Sequence, residues 1–335
     1  MKPEDNPQIP VLELRNLRTE FRVGGSWHAA VNDVSLKVMR NETLAVVGES
    51  GSGKSVTALS VLRLLPQTMT RHGGGQILFE GQHLESLSEK QMNKLRGDAI
   101  AMIFQEPMTS LNPTMTVGEQ IAEAIRQHRD VSKAEARRLA LDVLNEVKIP
   151  AADKRFDHYP HQFSGGMRQR VMIAMALACK PRVLLADEPT TALDVTIQAQ
   201  ILSLLSDLKT AHGMAVVFIT HNLGVVAQIA DKVAVMYAGE VVETADVQTL
   251  FASPTHPYTE ALLRAMPRVD ADHLSLEAIP GSVPAITARP AGCPFAPRCR
   301  LKEARCKVER PSLVDIGAGH QVRCFVRVEQ LAENV

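Results

Sequence analysis

An α/β fold built on a phosphate-binding loop is what this sequence predicts, and three observations carry the prediction. An apolar run, Thr43-Leu44-Ala45-Val46-Val47, leads into Gly48-Glu49-Ser50-Gly51-Ser52-Gly53-Lys54-Ser55, and a stretch with one apolar face follows from Val56 to Leu65 before Pro66. Strand-length apolar runs and helical stretches alternate again from Val183 to Met236. Between these parts lies a helical block, Thr116 to His128 and Ser132 to Val147, which interrupts the alternation.

The loop fits the pattern G-x-x-x-x-G-K-[ST] at every fixed position. Glycines let backbone N–H groups converge on phosphate oxygens with no Cβ in the way. The following helix presents the positive end of its dipole to the same point. Lys54 reaches the β- and γ-phosphates in such a loop, and the Ser55 hydroxyl ligates Mg²⁺.

Taken in order, Val11 to Val23 predicts one or two strands, Gly24-Gly25 a turn, and Ala29 to Val38 a strand. After the loop and its helix, Gly73-Gly74-Gly75 predicts a joint before a strand at Gln76 to Phe79. Ser88 to Leu95 predicts a short helix with Ser88 as N-cap and Gln91 closing a capping box. Ala99 to Phe104 predicts a buried strand ending at Gln105. Ser132 and Glu135 have capping-box spacing at the second long helix of the block. Ser164-Gly165-Gly166 opens a helix running from Met167 to Cys179, and Val183 to Glu188 predicts a buried strand ending in two carboxylates. A helix at Val195 to His212, a strand at Ala215 to Thr220, a helix to about Ala230 and a strand at Lys232 to Met236 complete the alternation. From about Pro254 prolines become dense and periodicity fades, which marks a C-terminal appendage.

Composition bounds the function. The 335 residues hold 37 basic and 37 acidic side chains, so no global charge points to nucleic acid. The segment Met1 to Pro10 is polar, unlike a signal peptide. The longest apolar run, Val171 to Cys179, falls far short of the ~20 residues that span a bilayer. A soluble or peripheral cytosolic protein is the expectation. Four of the five cysteines crowd into the C-terminal region, which in a reducing compartment favours metal ligation over disulfides.

Asp187 and Glu188 suit nucleotide hydrolysis, Asp187 holding Mg²⁺ and Glu188 polarising the attacking water. Ser164, Gly165 and Gly166 at a helix start offer either a plain N-cap or a second phosphate site. Two such sites in one chain leave open whether both serve one nucleotide or each serves half of two nucleotides in a dimer.

The order and spacing of these motifs resemble the ATP-binding subunit of ABC transporters over residues 11 to 250. Ser164-Gly165-Gly166-Met167-Arg168-Gln169 resembles the family's signature, Gln105 its Q-loop, Thr191-Ala192-Leu193-Asp194 its D-loop and His221 its switch histidine. Phe163 and Met167 depart from the usual Leu and Gln. The resemblance implies a P-loop ABC ATPase core with an antiparallel β subdomain and an inserted helical subdomain at about 106–180. It implies a head-to-tail pair of such subunits, the loop of one facing the signature of the other across ATP. Glu188, His221 and Gln105 would then serve catalysis, with Ser55, Gln105 and Asp187 around Mg²⁺. Phe21 is the candidate for stacking on adenine, with Trp27 and His28 as alternatives and core packing as its ordinary role.

Met102 to Pro113 and His256-Pro257-Tyr258-Thr259, with the cysteine-bearing tail, are similar to the oligopeptide/dipeptide permease branch. This divides the chain into an ATP-binding domain at 11–253 and a permease-type C-terminal region at 254–335. The resemblance implies an ATPase powering a peptide importer from the cytoplasmic face of the membrane. Its partners would be a second ATPase subunit, two transmembrane permeases and an extracytoplasmic binding protein. The Q-loop region and the helices from Thr116 to Val147 would form the docking surface. Nickel, glutathione or murein peptide remain alternative cargoes. A soluble ABC ATPase acting on DNA or ribosomes is disfavoured by the single phosphate loop and the lack of a long heptad run.

Cys293, Cys299, Cys306 and Cys324 are spaced C-x5-C, C-x6-C and C-x17-C, without the tight pairs of structural zinc sites. Wide, irregular loops suit a [4Fe–4S] cluster, as the tail's resemblance also implies; zinc or four free thiols are the alternatives. Arg298, Arg300, Lys302, Arg305 and Lys307 are expected to favour thiolates. Cys179, on an apolar helix, is expected in the core.

Overall fold

The computed structural model describes residues 9–105, 110–191, 193–266 and 279–333. The chain forms two compact units. One comprises Leu12–Lys37, Thr43–Glu85 and Ile219–Val335; the other comprises Val38–Glu42 and Ser86–Phe218, with the N-terminal residues through Val11. The strands are β1 (Leu12–Val23), β2 (Ser26–Val38), β3 (Thr43–Val47), β4 (Thr70–Phe79), β5 (Gln82–His83), β6 (Ile100–Ile103), β7 (Val183–Asp187), β8 (Ala215–Thr220), β9 (Lys232–Tyr237), β10 (Glu240–Asp246), β11 (Val314–Asp315) and β12 (Gln321–Val322). The helices are α1 (Lys54–Val61), α2 (Glu89–Leu95), α3 (Val117–His128), α4 (Lys133–Glu146), α5 (Ala152–Arg155), α6 (Gly165–Leu177), α7 (Val195–His212), α8 (Leu223–Ile229), α9 (Val247–Ala252), α10 (Pro257–Arg264) and α11 (Phe325–Glu333).

In the first unit an antiparallel sheet runs β2-β1-β4-β5. Leu12 lies opposite Phe79 and Phe21 opposite Thr70. The three glycines expected as a joint lie instead inside β4. Register shifts between Arg15 and Thr19 absorb them. Gly75 has φ 83°, and a Cβ there would stand 2.3 Å from the Asn16 carbonyl oxygen. The glycines therefore build bulges where two backbones approach closely.

The same unit holds the order β11-β12-β10-β9-β3, with β3 parallel to β9 and the rest antiparallel. All five residues of β3 are buried, as expected of a parallel strand covered on both faces. Ala45, Val47, Val233, Val235 and Tyr237 make the core together with Tyr258 and Phe295 from the tail. The rings of Tyr237, Tyr258 and Phe295 meet at 4.7–5.3 Å in edge or tilted contacts. Arg323 ties β12 down by donating its Nε to the Val241 carbonyl at 2.9 Å. A segment with little sequence periodicity is thus folded onto the sheet by a few large aromatic and arginine side chains.

In the second unit β6, β7 and β8 are neighbours in that order, with Ile100 opposite Val183 in the parallel β6–β7 pair. Every residue of β7 is buried. Helices α3, α4 and α6 pack on one another, burying Ile121, Ile125, Ala136, Ala140, Leu144 and Ile173. A Cβ at Gly118 would fall 2.3 Å from the Phe156 ring, so glycine lets α3 approach that residue. Ser132 caps α4 as expected, and Thr116 caps α3 in the same way. The reciprocal half of the Ser132 box is missing because Glu135 pairs with Arg138 at 2.6 Å. At α2 the Ser88–Gln91 box is complete. Among the described residues no helix is long and apolar enough to cross a membrane.

Candidate nucleotide site

Strand β3 delivers the chain into the loop, where three glycines take conformations that other residues resist: Gly48 at φ 152°, Gly51 at 78° and Gly53 at 101°. A Cβ at Gly48 would lie 2.2 Å from the Met236 carbonyl oxygen, so no side chain fits. Ser52 is fully buried, and its carbonyl accepts from the Gly239 N–H at 2.8 Å. Helix α1 begins at Lys54 and ends at Val61, four residues before the expected stop. Arg63 adopts φ 52° there and turns the chain ahead of Pro66.

Lys54 is 6% exposed and curls over its own loop. Its Nζ donates to the carbonyls of Gly48 at 2.8 Å and Glu49 at 3.0 Å, and to Ser52 Oγ at 3.4 Å. The loop thus holds a buried cation at the N-terminus of α1, an arrangement suited to a polyphosphate. Ser55 is half-buried beside it, and Ser50 and Gly51 are exposed. His221, in the same unit, is exposed between β8 and α8. Phe21 is half-buried in β1. Trp27, its alternative, has the Arg71 guanidinium 4.4 Å from its ring centroid.

The other unit carries the carboxylates. Asp187 is buried at the end of β7. Glu188 follows at φ 48°, a left-handed conformation that costs a non-glycine residue of order 1–3 kcal/mol. Its Oε2 accepts from Gln105 Nε2 at 3.3 Å and Thr191 Oγ1 at 2.9 Å. The structure therefore joins Gln105, Glu188 and Thr191, a contact that sequence spacing alone does not reveal. Asp194 caps α7, accepting from the Ile197 N–H at 2.9 Å. Ala192, and Glu106 to Thr109 after Gln105, lie outside the described residues.

Ser164 caps α6, its Oγ accepting from the Met167 N–H at 3.4 Å. Ser164 and Gly165 are exposed, and a Cβ at Gly165 would meet nothing within 4 Å. At Gly166 a Cβ would come 2.6 Å from Ile197 Cγ2, so this glycine is needed for packing. The departures at Phe163 and Met167 are absorbed locally. Phe163 is buried, and Met167 Sδ accepts from Arg155 Nη1 at 3.4 Å.

The four C-terminal cysteines line one small cavity of about 20 Å³ with His256, Phe295 and Lys302. Gly292 permits this, because a Cβ there would lie 2.4 Å from the Cys306 carbonyl oxygen. Cys293 N–H donates to that oxygen at 2.9 Å, and Cys299 Sγ accepts from the Leu301 N–H at 3.3 Å. Among the described residues, no group of three or more His, Cys, Asp or Glu side chains stands arranged to hold a metal ion. The expectation that the basic residues favour thiolates needs correction at Cys293, Cys299 and Cys324. Burial pushes Cys293 up to about 11 and raises Cys299 and Cys324, outweighing Lys302 and Arg327. Arg298 and Arg305 are engaged instead by Glu49 and Glu329. Cys179 is buried, with Sγ 3.8 Å from the Ala124 carbonyl oxygen, as a core cysteine should be.

Comparison with known proteins places this geometry. A family model described as ABC transporter matches residues 31–191, and one described as the C-terminal region of oligopeptide/dipeptide transporters matches residues 242–306. A probable peptide ABC transporter ATP-binding protein of Sinorhizobium fredii is 52% identical over 97% of this chain and 98% of its own length. A putative peptide import ATP-binding protein of Brucella melitensis is 49% identical over 96% of this chain and 98% of its own. Among solved structures, the dimeric ATP-binding cassette MJ0796 bound to ADP and Pi superposes with a TM-score of 0.63 at 29% identity, covering 70% of this chain and 98% of that one. The cbiO1 protein from Clostridium perfringens gives 0.64 at 26% identity, covering 73% and 92%.

Proposed function

Because the chain belongs to the ABC transporter family, as an ATP-binding subunit of its oligopeptide/dipeptide branch, we propose that it hydrolyses MgATP to power peptide import. The observation that carries this is the loop with buried Lys54 at its centre, followed in the chain by a permease-type C-terminal region. Lys54 and the loop amides from Gly48 to Ser55 bind the phosphates, and Phe21 stacks on adenine. Ser55, Gln105 and Asp187 serve Mg²⁺. Glu188 accepts a proton from the attacking water, and His221 senses the γ-phosphate. Ser164, Gly165 and Gly166 serve the nucleotide of a second ATPase subunit, so ATP closes the pair and hydrolysis relaxes it. The open space at Gly165 supports this role.

Domain boundaries of 11–253 and 254–335, with a helical subdomain at 106–180, fit this division of labour. The chain works on the cytoplasmic face of the membrane, bound to two permease subunits and supplied by an extracytoplasmic binding protein. Purified protein should hydrolyse MgATP, and cells lacking it should lose uptake of a labelled dipeptide or oligopeptide. Undiminished uptake in such cells, with active ATPase in vitro, would reassign the cargo.

Cys293, Cys299, Cys306 and Cys324 are the candidate ligands of a [4Fe–4S] cluster. The support is their convergence on one cavity and the N–H···S bond at Cys299. A bound cluster would supply the cross-link that folds this segment, and would draw the thiols to thiolates against the effect of burial. Anaerobic purification with iron and sulfide analysis and visible spectroscopy tests it. A colourless, iron-free protein with a protease-resistant tail would sink it.

A further inference from the structure

The phosphate loop contains one acidic side chain, Glu49, directly after Gly48. A carboxylate there opposes the binding of a polyanion unless its charge is met. Arg298 meets it with a two-pronged pair, Nη1 to Oε2 at 2.5 Å and Nη2 to Oε1 at 3.0 Å. The arginine side chain is only 5% exposed. Its other donors are fixed by the carbonyls of Pro280 at 2.9 Å and Ile279 at 3.2 Å. The backbone of the same loop residue is held as well. Glu49 N–H donates to Tyr258 Oη at 2.9 Å, and burial raises that phenol so that it stays a neutral hydroxyl. Side chain and backbone of Glu49 are therefore both anchored by the C-terminal segment.

We infer that Arg298 is a positioning residue of the phosphate loop, neutralising Glu49 so that the loop accepts MgATP. The inference rests on the nucleotide reading above and adds to it a requirement for the C-terminal segment. Arg298 sits on the turn between Cys293 and Cys299, closed by Arg298 N–H to Phe295 O at 2.9 Å and Cys299 N–H to Ala296 O at 3.3 Å. Whatever holds this cysteine turn also holds the counter-charge of the loop.

The test is titration of the purified full-length chain with a fluorescent MgATP analogue. Arg298→Gln should weaken binding about tenfold, because the partly exposed Glu49 carboxylate is left facing the phosphates without its counter-charge. Adding Glu49→Gln to that variant should recover most of the loss, because no charge then needs neutralising. Arg298→Lys, which keeps the charge but not the fork, should bind more tightly than Arg298→Gln and within about tenfold of wild type. Binding by Arg298→Gln equal to wild type, or no recovery in the double variant, overturns the role. A purely structural role would not be rescued by Glu49→Gln. If Arg298→Gln fails to fold, Arg298→Lys decides, and more than tenfold weakening in a folded Arg298→Lys protein overturns the charge argument. A wild-type chain that fails to bind MgATP would instead defeat the nucleotide reading itself.

Discussion

Removing the Lys54 ammonium should separate two effects that the geometry ties together. Lys54 Nζ makes two good bonds to the carbonyls of Gly48 and Glu49 and a long one, 3.4 Å, to Ser52 Oγ. An ammonium has three donors, and these three bonds all lie within the loop. To contact phosphate it must release at least the longest bond, which gives up little. A charge-assisted bond to a phosphate contributes about 1.5–3 kcal/mol. Contact with both β- and γ-oxygens, less the bonds surrendered, leaves about 2–4 kcal/mol, or roughly 30- to 1,000-fold in Kd. Lys54→Ala should show this loss in equilibrium titration. It should also lower the melting temperature of the nucleotide-free protein, because two loop carbonyls lose a partner. Lys54→Met keeps the aliphatic stem and should lose the same affinity with a smaller stability cost. Affinity within threefold of wild type in both variants would refute the role of Lys54.

Glu188→Gln should leave MgATP affinity within about threefold while reducing phosphate release by about 10²–10⁴-fold, since an amide is a poor proton acceptor; ATP-dependent dimer should then accumulate on size exclusion, and normal turnover would remove Glu188 from catalysis. His256 should make the fold acid-sensitive. Burial lowers its pKa to about 4, and its Nδ1 accepts from the Tyr258 N–H at 3.1 Å, which requires a neutral ring. Below pH 6.5 the unfolded chain takes up a proton that the folded chain refuses, so stability falls from pH 6.5 toward 4, by about 2 kcal/mol at pH 5. His256→Asn should flatten that slope in thermal melts at pH 7.5 and 5, and an unchanged slope would clear His256. Gly75→Ala should destabilise the protein by several kcal/mol, because it combines a left-handed φ with a 2.3 Å clash against backbone; a wild-type melting temperature would show that the β1–β4 bulge can relax.

Where a local signal was complete, the sequence predicted element ends to the residue. Helix α7 runs Val195–His212 as expected, because Asp194 caps one end and Gly213, in the left-handed conformation, closes the other. Strand β8 likewise matches, being a wholly buried apolar run. The glycine run in β4 departs from the expected joint because Gly73-Gly74-Gly75 carries the same local signal in a joint and in a bulge. What decides between them is Asn16, on a strand far away in the chain. Strand β10 and helix α9 lie beyond the last expected strand, where alternation is obscured by residues buried on both faces. The candidate catalytic residues are legible as motifs, yet the Gln105–Glu188 contact spans 83 positions and has no periodic signature.

The C-terminal segment shows why composition misleads about the weight a region carries. Its prolines and weak periodicity suggested an attachment held together by its own cysteines. In the folded chain Phe295 and Tyr258 complete the core around β9, and Arg289 donates to the carbonyls of Ala29 at 2.5 Å and Ala30 at 3.2 Å. Arg298 and Tyr258 reach the phosphate loop across 249 and 209 positions. Arginine achieves this because its five donors satisfy several carbonyls and one carboxylate at once, where no strand or helix is available to do so. Such contacts follow from one side chain meeting one distant partner, so nothing in the tail's own sequence announces them. Loss of order at the cysteine turn should therefore be felt first at Glu49, and through it at the nucleotide.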